Sequence, residues 1–113
     1  MNRIASTPEP PYYAVVFTSQ RTEADADDGY GEMADKMFAL ASRQPGFLGV
    51  ESVRDAAGVG ITVSYWSSLD AIRQWKRNEE HLVAQAKGKK VWYQQYRIRI
   101  CKAERQYGFE PPA

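Results

Sequence analysis

Between Tyr12 and Ser19 the chain reads YYAVVFTS, and both alternating sets are apolar: Tyr13, Val15 and Phe17 on one side, Tyr12, Ala14 and Val16 on the other. A run so rich in β-branched and aromatic side chains reads as a strand. A strand apolar on two faces must be covered on two faces, since burial contributes about 25 cal/mol for each Å² of apolar surface. A chain of 113 residues has room for one domain, so that cover is hard to supply from within.

A polar acidic loop follows, with Asp25, Asp27 and Asp28, and Asp27 or Asp28 is placed to cap a helix carrying Glu32 in its first turn. Tyr30, Met33, Ala34, Met37, Phe38 and Ala41 form that helix's apolar stripe, and Pro45-Gly46 ends it. Phe47 to Arg54 and Val59 to Trp66 read as two further strands, joined at hairpin length by Asp55-Ala56-Ala57-Gly58. Ser67 with Asp70 resembles a capping box opening a helix through Leu69, Ile72 and Trp75. Asn78 is placed to cap a separate segment, Glu79 to Lys87, which Gly88 terminates. Val91 to Glu104 is a long last strand in which Trp92, Tyr96, Ile98 and Ile100 belong together, with Tyr93 and Cys101 in the opposite phase. Pro8, Pro10 and Pro11 make residues 1–11 an extended arm, residues 12–105 form the domain, and 106–113 are a tail with Pro111-Pro112.

The order β-α-β-β-α-(α)-β predicts an α+β, ferredoxin-like fold, a four-stranded antiparallel sheet with helices on one face. One helical layer covers one face only. The other is most economically dried by the same face of a second subunit, so a homodimer is expected.

Fifteen Lys+Arg against fourteen Asp+Glu leave a formal charge of +1, which gives no electrostatic reason to expect nucleic acid or an anionic membrane as partner. No apolar run approaches the ~20 residues of a membrane span, and the first residues lack a secretory h-region. The single cysteine, Cys101, forbids an internal disulfide and a cysteine zinc cluster and suits a reducing compartment. A cytoplasmic protein partnered by a small molecule is expected.

Four stretches carry a family likeness: Gln44-Pro45-Gly46-Phe47-Leu48-Gly49, Ser64-Tyr65-Trp66-Ser67-Ser68-Leu69-Asp70-Ala71, the run Trp75 to His81 (WKRNEEH), and the aromatic last strand. Over residues 12–105 the chain resembles the antibiotic biosynthesis monooxygenase family of dimeric α/β-barrel proteins. The resemblance implies that the sheets of two subunits pack into a barrel, with a pocket in each protomer between sheet and helices. It also implies oxygen insertion without metal or flavin into electron-rich phenols such as polyketide anthrones. Deprotonating such a phenol gives an anion that itself reduces O2, so the protein supplies a dry pocket, hydrogen bonds to the anion and a base. A second branch of the family degrades heme with a Trp on the second helix, an axial His about ten residues later and an Asn in the first strand. Trp75 matches that Trp, but Gln85 stands at the His position and the first strand holds no Asn, so that mechanism is disfavoured. The alternative reading is a non-catalytic dimer that binds a small hydrophobe or heme.

His81 is the only histidine, the side-chain type whose charge changes near neutrality, and is either a pocket base or a partly exposed surface residue. It shares a helical face with Gln85 at i, i+4. Trp75 is pocket wall, core or a direct partner of substrate. Trp66, out of phase with Ile61, Val63 and Tyr65, plugs the dimer side or the barrel mouth. Trp92, Tyr93 and Tyr96 suit either packing or the walls around a phenolic ring, and Met37 is core or flexible pocket lining. The candidate site is therefore His81 and Trp75 as catalytic residues, with Trp66, Tyr96, Gln85 and Met37 at the substrate; no metal and no cofactor is expected.

Overall fold

The structure, a computed structural model, describes residues 4–22, 29–86 and 92–111, with the side chains of 82–86 excepted. Six elements follow in order: β1 (Tyr12–Arg21), α1 (Tyr30–Ser42), β2 (Phe47–Arg54), β3 (Val59–Trp66), α2 (Leu69–Ala86) and β4 (Tyr93–Ala103). The strands form one antiparallel sheet in the order β2-β3-β1-β4. This is the ferredoxin-like α+β arrangement, and it places the doubly apolar β1 inside the sheet. Among the described residues no helix is long and apolar enough to cross a membrane.

Four local expectations are corrected. Gly29, with φ 84°, stands at the N-cap of α1 and no side chain caps it; Asp27 and Asp28 lie outside the described residues. The second helix is one continuous element, because the residues after Asn78 are good helix formers and propagation outweighs a local cap. Asn78 instead donates to Gln44 Oε1 at 2.9 Å, tying α2 to the turn after α1. At the start of α2 it is Ser68, not Ser67, whose Oγ accepts a backbone N–H, that of Ala71 at 3.1 Å.

The fourth correction concerns β4. Gln20 pairs with Gln95 and Arg21 with Tyr93, so Gln94 is an extra residue, a β-bulge that reverses the alternation. Tyr93 thereby turns to the same face as Tyr96, their rings edge to face at 5.9 Å. Trp92 lies just before the strand, buried, with its ring edge-on to Tyr30.

Cross-strand register sorts the two faces. Tyr13, Val15, Phe17 and Ser19 of β1 stand level with Trp66, Ser64, Thr62 and Gly60 of β3 and with Lys102, Ile100, Ile98 and Tyr96 of β4. The helices lie on this face. Trp66, 0% exposed, stacks on Trp75 at 5.9 Å and meets Phe47 edge-on at 5.5 Å, while its Nε1 donates to Ser64 Oγ. Ala41, Ala71 and Ile72 complete that core, with Tyr13, Val15, Met37 and Leu40 against it. Trp66 is thus out of phase with Ile61, Val63 and Tyr65 as expected, but it faces the helices rather than a dimer side. Alternation fixes which residues share a face, not which face is covered.

The opposite face carries Val16, Val63, Ile61, Val59 and Val53, the last 71% exposed. One end of it is closed by the arm before β1 and the segment after β4. Ala5 N–H donates to Glu51 Oε2 and the Tyr65 hydroxyl to Glu51 Oε1. Thr7 Oγ1 and Tyr12 Oη both donate to Gln106 Oε1, and Gln106 Nε2 donates to the Pro8 carbonyl, which buries Tyr12.

Candidate functional site

α1 packs against β2, α2 against β3, and the two helices touch, leaving the β4 side of the helical face open. Tyr96, Ile98 and Ile100 are 40%, 41% and 52% exposed there. Phe17, in phase with the core residues of β1, lies between this row and an aromatic end wall. Its ring is 5.5 Å from Tyr96 and 5.5 Å from Tyr93, and Tyr30, the first residue of α1, meets Tyr93 edge-on at 5.7 Å. The bulge at Gln94 makes this wall, since without it Tyr93 would point to the opposite face.

A polar cluster stands behind the wall. Arg54 ends β2 and pairs with Gly60 of β3, which has no side chain, so the guanidinium lies flat across β3. A Cβ at Gly60 would sit 2.5 Å from Arg54 Cζ. Crossing there, Arg54 donates from Nη2 to Ser19 Oγ at 2.8 Å and Tyr30 Oη at 3.2 Å, and from Nη1 to the Gly58 carbonyl at 2.6 Å. Tyr93 Oη donates to Tyr30 Oη at 3.3 Å. Arg21 covers the Tyr30 ring with its guanidinium 3.8 Å from the centroid, a cation–π contact, and donates from Nη1 to the Trp92 carbonyl. Burial, and next the bond to Tyr30, push the Tyr93 phenol well up, against the opposing pull of Arg54 and Arg21. Tyr93 is therefore a neutral hydrogen-bond donor at physiological pH.

Among the described residues, hollows adjoin the sheet at two places. One of about 510 Å³ opens at the end of β1, lined by Gln20, Arg21, Thr22, Gly58 and Gln94 among others. The other, about 230 Å³, lies along β1 and β4 beside Thr18, Gln95, Arg97 and Arg99.

Of the residues singled out from the sequence, Trp66, Trp75 and Met37 come together in the core, and Tyr96 joins the aromatic wall. His81 is exposed on α2, about 120° around the helix from Trp75, so the two do not converge. The Gln85 side chain lies outside the described residues. The Arg54, Ser19, Tyr30 and Arg21 cluster went unread. Its one sequence signal was Gly60 inside a strand, which marks a close approach of another group.

The fold is thus a ferredoxin-like sheet whose helical face is open on the β4 side, with aromatic and guanidinium groups at the edge of the opening. The chain belongs to the antibiotic biosynthesis monooxygenase family, whose model matches residues 12–87. It is similar to the uncharacterized protein YqjZ of Bacillus subtilis (strain 168), 56% identical over 110 residues that cover 97% of this chain and 95% of the relative. Among solved structures it resembles SnoaB, a cofactor-independent oxygenase from Streptomyces nogalater, with TM-score 0.68 and 16% identity, covering 86% of this chain and 97% of that one. PA3566 from Pseudomonas aeruginosa gives TM-score 0.65 at 15% identity, covering 88% and 99%. At these identities the likeness to the solved structures is one of fold.

Proposed function

We propose that the protein is a monooxygenase-like homodimer that needs no cofactor and oxidises a small electron-rich aromatic, a phenol or a hydroquinone-like compound, with O2. The observation that carries this reading is the open half of the helical face. Phe17, Tyr96, Ile98 and Ile100 offer a ring-sized apolar surface ending at hydroxyl and guanidinium groups. Tyr96 and Met37 flank the ring, and Trp75, held from behind by Trp66, forms the inner wall. The substrate hydroxyl loses its proton to His81 or to water. The phenolate then supplies all the electrons: a ring C–H bond is replaced by C=O, the O–O bond breaks, and the second oxygen leaves as water. Phenol plus O2 thus gives quinone plus water. The protein's share is orientation, exclusion of water and hydrogen bonds to the anion.

Aerobic incubation with a panel of phenols and hydroquinones, followed by an oxygen electrode, tests this reading. One O2 is expected to disappear for each quinone formed. His81→Ala is expected to slow the reaction by about a hundredfold if the imidazole takes the proton. Unchanged uptake in both His81→Ala and Trp75→Phe removes those assignments. Saturable binding of the same compounds with no oxygen uptake makes the protein a binding dimer instead.

A further inference from the structure

We propose that the Arg54, Ser19, Tyr30 and Tyr93 cluster receives an ionised oxygen carried by an aromatic ring, so that the protein selects aryl anions, carboxylates or phenolates, over neutral rings of the same shape. This rests on the reading that the open helical face is the ligand site, and is independent of oxygen chemistry.

The electrostatics come first. Arg54 is half-buried, and among the described residues no carboxylate forms an ion pair with it. A guanidinium withdrawn from water needs hydrogen bonds and, failing a built-in counter-ion, favours an anionic guest. Its hydrogen bonds leave from Nη1 and Nη2, so the Nε–H makes none among the described residues. Arg21, stacked on the far side of the Tyr30 ring, adds a second positive charge to the same end.

The hydroxyls point to the same conclusion. Ser19 is 3% exposed, and its Oγ accepts from Arg54. Its own hydrogen then has to go to another acceptor, and no residue among those described provides one. Tyr30 Oη accepts from both Arg54 and Tyr93, which ties the two hydroxyl-bearing rings to the guanidinium. A guanidinium that donates into hydroxyls makes stronger donors of them, and charge-assisted bonds of this kind are about twice as strong as neutral ones.

The apolar part of the site fixes the rest of the ligand. Ser19 lies directly opposite Tyr96 in the β1–β4 register, and the Tyr96 ring is 5.5 Å from Phe17. A ring lying on Phe17 and Tyr96 therefore carries a substituent toward Ser19 and Arg54. The 510 Å³ hollow lies next to the charged end, lined by Arg21 and by Gly58, whose carbonyl accepts from Arg54. The absence of a side chain at Gly60 permits the arrangement, because only a bare backbone lets the guanidinium cross β3.

Two probes distinguish the sources of the anion. 2-Naphthoate and its neutral isostere 2-naphthamide are titrated into the full chain by calorimetry, and 4-nitrophenol is titrated near its ionisation, where phenol and phenolate absorb at different wavelengths. The expected result is binding of 2-naphthoate about tenfold tighter than 2-naphthamide, or enrichment of the 4-nitrophenolate band on binding. Preference for the first identifies a carboxylate guest, for the second a phenolate. Arg54→Gln removes the preference, and Ser19→Ala weakens it, which keeps the test available if Arg54→Gln fails to fold. Arg73→Gln, which breaks only an exposed contact with Asp70 on α2, leaves it unchanged. Equal affinity for naphthoate and naphthamide with no phenolate enrichment, no binding of any probe, or a preference that survives Arg54→Gln overturns the proposal. An anion preference in a protein that consumes no oxygen leaves this inference standing and removes the oxidative function.

Discussion

Trp66→Ala is expected to lower the stability of the folded chain by about 3–5 kcal/mol, the cost of emptying a large buried aromatic site that can collapse only in part. Trp66 has no exposed surface, lies parallel to Trp75 and edge-on to Phe47, and satisfies its indole N–H on Ser64. Its removal strips both rings of a face and leaves the Ser64 hydroxyl without its donor. Against a total of about 5–15 kcal/mol for a domain, most of the margin disappears. Urea unfolding followed by far-UV circular dichroism measures the loss as a fall in midpoint at unchanged slope. Tyr96→Ala, at a 40% exposed ring, serves as the contrast and is expected to cost about 1 kcal/mol or less. A Trp66→Ala midpoint within 1 kcal/mol of the parent would show that Trp66 lines a replaceable ligand space rather than the core.

Ile61→Asp is expected to convert a dimer to a monomer with the fold intact. Ile61 stands on the face away from the helices, 44% exposed, beside Val63 and opposite Val53 and Thr18. In a single subunit a carboxylate there reaches water and costs little. Pressed against a second copy of the same face it is buried twice, once in each subunit, and the two symmetry-related charges repel. A weakening of association by at least about a hundredfold is expected, which needs less than about 3 kcal/mol. Light scattering after size exclusion at micromolar concentration reads the change directly. A parent chain already monomeric under those conditions sinks the dimer and the expected barrel with it.

Much of the fold was legible. The bounds Phe47–Arg54 and Val59–Trp66 are those read from β-branched runs and the loop between them, while of the stripe read on α1 Met37 and Ala41 reach the core and Ala34 and Phe38 stay exposed. What sequence periodicity could not carry was anything set by a single residue out of step. Gln94 looks like one more polar strand residue, yet it moves Tyr93 from one face to the other. Gly29 takes a left-handed cap that acidic neighbours had seemed to claim. The candidate site was legible in its aromatic half, through Tyr96, and illegible in its charged half. Arg54 and Ser19 are 35 positions apart and meet only because β3 lies between β2 and β1 and carries Gly60 at the crossing.

The bond network at Gln106 joins the proline arm to the segment after β4, with Pro8, Thr7 and Tyr12 gathered round one amide. The stretch from Thr7 to Gln106 is thereby fastened at both its ends, like a hoop closed by a clasp. Opening that hoop at Ala56-Ala57 has a local consequence. The adjacent Gly58 carbonyl is shared by the Arg21 backbone N–H and the Arg54 guanidinium, so a cut there would slacken the end of β1 and the grip on Arg54 while leaving the tryptophan stack untouched.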